Sequence, residues 1–308
     1  MAELTAIDEE LLAQIADLHG MPRGAFNIRK DGQLVERSSS ANIDIEAFTD
    51  KQGIKITVAP GTKGETVHIP VIMTKTGITD VVYNDFHIGD GADVLIVAGC
   101  GIHNSGDAAT EHDGIHSFWL GKGARVRYVE KHYGEGEGTG ERILNPTTNV
   151  YMGEDSFCEM EMTQLKGVSS TERETNCELA AGAKLILTEK LLTHGKQTAI
   201  SNMDIRLKGE GSNVQVISRS VAQDDSYQVF NPLVVGEAAC HGHVQCDAII
   251  MGNAKVKAIP GIEAASEDAQ LIHEAAIGKI AGDQIIKLMT LGMSEEEAEQ
   301  EILNDFLS

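Results

Sequence analysis

The chain has 308 residues, of which 42% are hydrophobic and only 4% aromatic, so Val, Ile, Leu and Ala must build its core. A net charge of -22 argues against binding to nucleic acid or to an anionic membrane surface. No segment reaches the roughly 20 apolar residues of a membrane span, and the acidic start MAELTAIDEELLAQ is unlike a signal peptide. We therefore expect a cytoplasmic protein.

Three regions follow one another along the chain: an N-terminal helical segment (1–25), a β-rich core (26–262) and a helical subdomain (263–308). In the first region, Asp8 is predicted to cap a helix with the sequence EELLAQIADLH, which Gly20 and Pro22 end. Four side chains form one apolar stripe along it: Leu11, Leu12, Ile15 and Leu18.

The core contains a repeat in which a glycine precedes an alternating strand. The copies GADVLIV, GARVRYV, GEDSFCEM, GAKLILT and GSNVQVI start at intervals of 32, 30, 29 and 29 residues, at Gly91, Gly123, Gly153, Gly182 and Gly211. A second strand lies midway, as in TTNVYM and AISNMDIRL. This period predicts a mainly β fold, a parallel β-helix (β-solenoid) whose coils stack on one another. A β-sandwich is the alternative, and the near-constant interval argues against it.

The last region has a helical composition, beginning with EDAQLIHEAAIGK. Asp283 is predicted to start one helix and Gly292 to end it, and Ser294 with Glu297 forms a capping box for the last helix. So short an appendage must lie on the end of the solenoid or on a partner. Its apolar residues are candidates for partner binding: Ile285, Leu288, Met289, Leu291 and Met293.

No nucleotide-binding or hydrolase motif is visible, so we expect no enzyme and look to metal-ligand residues. The stretch CHGHVQCD places Cys240, His243 and Cys246 close together. On an uninterrupted strand, Cys246 shares the apolar face with Val244, which also suits a thiol acting as a small hydrophobe. His273 and Glu274, expected at the start of a helix, add an imidazole and a carboxylate.

A second group of ligand residues lies in GCGIHNSGDAATEHDGIH: Cys100, His103, His112 and His116. The spacing imitates a zinc site, although structural zinc usually binds to two or more cysteines. Alternatively, Cys100 accepts sulfur, in which case its thiol is expected to be accessible and partly ionised.

Six further segments are distinctive when they occur together in one chain: HVQCDAIIM, AIPGIEA, DAQLIHEAAIGKIAGDQIIKLMTLGMSEEEAEQEIL, AGCGIH, SRSVA and GAFNIRKDG. Together they resemble the SufB/SufD family, the iron–sulfur cluster scaffolds of the SUF system, in a short single-scaffold form. The resemblance implies that Cys246 binds a nascent iron–sulfur cluster with Glu274 as a partner ligand, and we add His243 or His273 to that mixed set. It also implies that sulfur enters at Cys100 and travels along the β-helix.

The resemblance further implies a homodimer formed through the β-helix end, a SufC-like ATPase bound to the C-terminal helices, and passing contacts with a sulfur donor and recipient apoproteins. The alternative function is that of a cytosolic β-solenoid interaction protein with a structural zinc site or no metal. A hydrolase or lyase on a β-helix fits less well, because such enzymes usually present clusters of carboxylates, Arg or Lys to extracellular substrates, and nothing in the sequence indicates secretion.

Overall fold

The computed structural model describes residues 4–307. Its first element is helix α1 (Ala6–Ala16), whose N-cap is Thr5. The Thr5 hydroxyl accepts a hydrogen bond from the Asp8 backbone N–H, and the Asp8 carboxylate accepts one from the Thr5 N–H at 2.7 Å. Asp8 is thus the third helical residue of a capping box, so its predicted N-cap position is wrong. The predicted apolar stripe is confirmed, because it packs in a buried cluster with Phe26, Ile28 and Ile72.

The strands that follow are β1 (Ala25–Lys30), β2 (Gln33–Ser38), β3 (Ile43–Ala47), β4 (Gly53–Val58), β5 (Lys63–Met73), β6 (Thr79–Ile88), β7 (Asp93–His103), β8 (Thr110–Leu120), β9 (Arg125–Glu135), β10 (Arg142–Leu144), β11 (Thr147–Met152), β12 (Phe157–Lys166), β13 (Ser170–Leu179), β14 (Lys184–Thr193), β15 (Thr198–Leu207), β16 (Asn213–Ala222), β17 (Tyr227–Gly236), β18 (His241–Ile250), β19 (Lys255–Ala258), β20 (Gly261–Ala264) and β21 (Gln270–Gly278).

Successive strands alternate between two long sheets. Sheet 1 has the order β2-β1-β5-β7-β9-β12-β14-β16-β18-β21, and sheet 2 has the order β3-β4-β6-β8-β10-β13-β15-β17-β19, with β11 beside β8 and β13 and β20 beside β17. The coils pair in parallel, and the antiparallel pairs β1–β2 and β3–β4 lie at the N-terminal end. The predicted fold is confirmed: the chain is a β-solenoid of about eight turns.

A left-handed residue stands two positions before each strand of sheet 1 from β5 to β16. Gly91, Gly123, Gly182 and Gly211 hold this position with φ between 63° and 70°. In the middle copy the left-handed residue is Asp155, with φ 56°, and not Gly153, where the sequence repeat starts that copy. Asp is among the few non-glycine residues that tolerate this conformation, so the structural repeat continues where the glycine pattern shifts by two positions.

The core lies between the sheets, where inward side chains of successive coils stack in layers. Most of these layers are aliphatic, and they form one large cluster that runs from Ala25 to Cys246. A polar group interrupts them in the middle of the solenoid, where the side chains of Glu130, Arg173 and Glu189 are all buried. Buried charges of this kind require charged or hydrogen-bonding partners, so this part of the core differs from the aliphatic layers on either side of it.

The C-terminal end differs from the sequence-based prediction in one element. The segment QLIHEAAIG forms strand β21, paired in parallel with β18, where a helix was predicted. Helices α2 (Gly282–Met289) and α3 (Glu295–Leu307) follow, and α3 begins with the predicted capping box of Ser294 and Glu297. No helix of residues 4–307 is long and apolar enough to cross a membrane.

Candidate functional site

Strands β18 and β21 lie side by side at the C-terminal end of the solenoid, and β21 is the edge strand of sheet 1. Their register pairs Val244 with His273 and Cys246 with Ala275. Val244 and Cys246 both belong to the core, so the His273 and Ala275 side chains point to the same interior face. Cys246 is buried as its alternation predicted, whereas Ala275 is exposed at the open end.

The other two predicted ligands lie on the outer face of the same strands. His243 pairs with Ile272 and Gln245 with Glu274, one step out of phase with the inward residues. The distance from His243 Nε2 to Glu274 Oε1 is 3.7 Å. The structure therefore divides the predicted residues between two faces of the sheet: Cys246 and His273 lie on the inner face, and His243 and Glu274 lie close together on the outer face.

Both imidazoles have an unused nitrogen. The Nε2 atoms of His243 and His273 are buried and have no hydrogen-bond partner, which costs stability unless another group binds them. Burial raises the pKa of the Cys246 thiol to about 11, and a bound metal ion would offset that shift by stabilising the thiolate. A thiol and an unpaired imidazole on one inner face suit a soft or borderline metal.

Cys240, the other predicted thiol in this stretch, does not join the pair. It is buried in the turn before β18, beside Gly236. Six residues of extended chain separate it from Cys246, a distance of about 20 Å. Cys240 is therefore part of the core packing at the start of the strand.

Cys100 faces the interior from β7 and is 2% exposed, so the expected accessible thiol is wrong for this conformation. Burial raises its pKa well above the usual value, and the carboxylates of Asp80 and Glu130 add to the increase. Cys100 lines a small cavity of about 10 Å³ together with His112 and His116. This volume is about that of one water molecule.

The zinc site predicted from sequence spacing is not assembled. His103 lies on the outer face of β7, with Nδ1 3.2 Å from Glu135 Oε1, while Cys100, His112 and His116 face the interior. Within residues 4–307, no group of three or more His, Cys, Asp or Glu side chains is arranged to hold a metal ion.

Helix α1 covers the outside of the wall that carries Cys100. A Cβ atom on Gly99 would lie 2.9 Å from Ile15 Cβ, and one on Gly101 would lie 3.0 Å from Leu11 Cδ2. Because the two glycines lack side chains, α1 packs directly on the β7 backbone. The motif AGCGIH thus combines an inward thiol with an outward surface for close helix packing.

The interior charges form a network that the sequence analysis missed. Arg173 Nη1 lies 2.7 Å from Glu130 Oε2, and Arg173 Nε lies 3.5 Å from Glu189 Oε1. Burial raises the pKa of Glu130, but Arg173 and His132 outweigh it and hold that pKa well below its usual range. Burial also raises the pKa of Glu189, which Arg173 offsets only in part.

This network belongs to a row of inward residues that reaches the end of the solenoid. Successive pairings in sheet 1 place one residue of each coil in line: Glu130, Met162, Glu189, Ser218 and Cys246. Cys100 lies one coil before Glu130, beside His132. At about 4.8 Å per strand, the five steps from β7 to β18 span about 24 Å, so a partly polar interior connects the two cysteines.

Comparison with known families identifies the chain. Residues 73–306 match the family described as "SUF system FeS cluster assembly, SufBD core domain". The chain belongs to the SufBD family. The match includes Cys100, Cys246, Glu274 and both C-terminal helices, so the residues singled out from the sequence all lie within this SufBD core domain.

Relatives named "Iron-sulfur cluster assembly SufBD family protein" come from several archaea. A protein of Methanocaldococcus jannaschii is 25% identical over 94% of this chain and 92% of its own length. A Pyrococcus horikoshii protein is 25% identical over 97% of this chain and 93% of its own length. A Methanothermobacter thermautotrophicus protein is 27% identical over 71% of this chain, and the alignment spans only 53% of that longer SufBD protein.

The C-terminal helices of this SufBD protein leave an apolar surface open. Helix α3 packs on β16 through Leu303 and Leu307, which contact Val221 on the outside of the solenoid, and α2 packs on α3. Helix α2 has no buried residue. Among the predicted docking residues, Met289 and Leu291 are 42% and 75% exposed, whereas Ile285, Leu288 and Met293 are half-buried. Ile286, at 63%, belongs to the same surface.

Proposed function

We propose that this SufBD protein is a scaffold that assembles a nascent iron–sulfur cluster and works with a SufC-like ATPase. The observation that carries the proposal is the inner pair at the open end, Cys246 with the unpartnered Nε2 of His273. Iron–sulfur clusters bind to thiolates, and replacing some thiolates by imidazole or carboxylate favours later release. The cluster is the cargo of this protein, which recipient apoproteins take up.

The remaining ligands come from a second chain in this proposal. The edge strands β20 and β21 and the turn before them expose four isoleucines, and an uncovered edge is a template for association. They are Ile259, Ile262, Ile272 and Ile277. A two-fold contact between two such ends forms a homodimer and duplicates each ligand pair at the interface. Glu274 and His243, on the outer face, then provide further cluster ligands or position the ligands on the inner face.

Sulfur delivery is the next part of the proposal. The Cys100 thiolate attacks the outer sulfur of a donor persulfide, the S–S bond breaks, and the donor leaves as a thiol with the proton that Cys100 gave up. Cys100 then carries the persulfide. The polar row from Glu130 to Cys246 supports the idea that sulfur travels inside the solenoid. Because Cys100 is buried, delivery requires the wall under α1 to open.

The ATPase is proposed to bind to the exposed surface of α2. Helix α3 anchors this pair of helices to the side of the solenoid, so movement of α2 can reach β16 and its neighbour β18. ATP hydrolysis in the partner would then act on the strand that carries Cys246. We also propose a cytoplasmic location, in keeping with the acidic composition and free cysteines.

Anaerobic reconstitution tests the proposal. The metal-free protein is incubated with ferrous iron, sulfide and a thiol reductant, desalted, and analysed by absorption spectroscopy and by counting iron and sulfide per chain. We expect equimolar iron and acid-labile sulfide with charge-transfer absorption in the visible region. A protein that returns from this treatment without iron is not a cluster scaffold, and the interaction-protein alternative then replaces the proposal.

A further inference from the structure

The cavity beside Cys100 contains two imidazoles that aim at one point. A Cβ atom on Gly114 would lie 3.2 Å from His116 Nε2 and 3.4 Å from His112 Nε2. Both histidines are more than nine-tenths buried. Neither Nε2 atom forms a hydrogen bond within the described part of the chain, so the two nitrogens converge, unpartnered, on space that the missing side chain of Gly114 leaves free.

The hydrogen bonds of the other ring nitrogens determine which tautomers are present. His112 Nδ1 lies 3.2 Å from Asp80 Oδ2, and a carboxylate only accepts, so this nitrogen carries the proton. His116 Nδ1 lies 2.7 Å from the Tyr128 hydroxyl, which donates its own proton to Glu130 at 2.9 Å. The hydroxyl oxygen must therefore accept from His116. In the neutral form of each ring, Nε2 consequently presents a lone pair.

The third histidine of the cavity is engaged elsewhere. His132 Nε2 faces Glu130 Oε1 at 3.6 Å, and its Nδ1 lies 3.5 Å from Arg173 Nη2. Its two ring nitrogens thus belong to the internal charge network. His112 and His116 are the pair with free lone pairs. Asp80 and Tyr128 form hydrogen bonds to their Nδ1 atoms and so orient the two rings, as outer hydrogen-bond partners orient metal-bound histidines.

We infer that His112 and His116 form an internal binding site for a divalent first-row transition-metal ion. Two converging lone pairs are satisfied by a donor such as water or by an electron-pair acceptor such as a metal ion, and neutral imidazole suits Fe²⁺, Co²⁺ and Zn²⁺. Metal–nitrogen bonds of about 2.1 Å require both rings to close on the ion by about an ångström. The nearby buried charges do not oppose a cation, because the three carboxylates of Asp80, Glu130 and Glu189 face the two guanidiniums of Arg29 and Arg173.

A metal ion with only two protein ligands is bound weakly. Weak binding is better suited to an ion that is passed on than to a structural metal. The Cys100 thiol lines the same cavity and is placed to provide a further ligand. The inference goes beyond the cluster at Cys246, because this site lies on β8, four to five strand spacings or about 19–24 Å from β18 along the solenoid. It stands whether or not a cluster forms at the open end.

Cobalt(II) binding tests the site, because its visible absorption reports on coordination. The metal-free full-length chain receives Co²⁺ anaerobically in two ways, by incubation of the native protein and by refolding in its presence. The variant Gly114→Ala keeps both histidines but fills the space between them. We expect it to lose one equivalent of Co²⁺, with affinity at least about 10–100-fold weaker. The double variant His112→Gln/His116→Gln should lose the same equivalent.

Three comparisons make the result decisive. His103→Gln, on the outer face, and Cys246→Ser should both retain the equivalent that Gly114→Ala loses. Thermal unfolding of the metal-free variants identifies any that fail to fold, and X-ray absorption of the wild-type cobalt complex should show imidazole scattering without relying on a variant. The proposed metal site is withdrawn if neither loading method gives an equivalent of bound Co²⁺ that Gly114→Ala removes, or if X-ray absorption shows no imidazole ligand. A water molecule then bridges the two rings.

Discussion

Replacing Arg173 by Met should strongly destabilise the solenoid. The guanidinium lies between two carboxylates inside the fold, at 2.7 Å from Glu130 and 3.5 Å from Glu189. All three side chains are less than 10% exposed, so solvent cannot replace the lost partner. Removing one member of such a buried group costs about 3–5 kcal/mol. With about 2.1 cal/mol/K of unfolding entropy per residue, this corresponds to a fall in Tm of about 5–8 °C for a chain of 308 residues.

Differential scanning calorimetry at pH 7 measures this change. The matched control is Lys122→Met, which removes an ion pair of similar length, 2.9 Å from Glu154, on the exposed surface. Solvent and salt screen that pair, so the control should melt with the wild type. If Arg173→Met melts within about 2 °C of the wild type, the carboxylates are not held by Arg173 and the internal network is misinterpreted.

The pH dependence gives a second test of the same network. Without Arg173, burial raises the pKa of both carboxyls in the folded state, so the folded variant binds protons that the unfolded chain releases. The variant should therefore regain stability as the pH falls from 7 towards about 4.5, the value for an unfolded Glu. In the wild type, Glu130 contributes no such gain, because its pKa is held well below the usual value. A parallel pH profile for both proteins would contradict this explanation.

Three further predictions concern the helices and the thiols. Changing Met289 and Leu291 together to Asp should abolish co-elution with a SufC-like ATPase in size-exclusion chromatography while the thermal transition of the solenoid remains; retained co-elution would exclude this docking surface. Cys100 and Cys246 are both at most 2% exposed, so alkylation of the native chain should modify each of them far more slowly than alkylation of the unfolded chain, and rapid labelling of Cys100 would show that the wall at Cys100 opens readily. Asp8→Asn should speed amide exchange in α1; in the wild type the same loss should appear only below about pH 3.9, because burial raises the Asp8 pKa but Lys30 and the hydrogen bonds from Thr5 together outweigh burial and lower that pKa.

The solenoid could be predicted because its physical requirements recur in the sequence. Each coil needs a left-handed turn residue followed by a strand with small or aliphatic inward side chains, and this combination returns about every 30 residues. The middle copy was misaligned because Gly153 is more conspicuous than Asp155, which takes the left-handed position. The sequence pattern thus predicts the architecture, while single turn positions depend on backbone geometry.

The candidate site was predictable in its residues but not in its geometry. The segment QLIHEAAIG is rich in good helix formers, yet pairing with β18 makes it a strand. That difference puts His273 and Glu274 on opposite faces of the sheet, where a helix would have placed them only about 100° apart around its axis. The alternation in RVRYVEKHY already puts Glu130 inward with Tyr128, but its partner Arg173 lies 43 residues away and is found only in the structure.

The central claim is that Cys246 binds the nascent cluster. It is tested most directly by measuring the iron bound to variants in which one cysteine is replaced by serine. Cys246→Ser places a hydroxyl beside the buried Ser218 hydroxyl of the neighbouring strand, so the fold should tolerate the change. Cys177→Ser, at a core position remote from the open end, is the matched control. After identical anaerobic reconstitution, we predict that Cys246→Ser retains almost no iron or sulfide while Cys177→Ser equals the wild type. Full iron and sulfide in Cys246→Ser would contradict the claim.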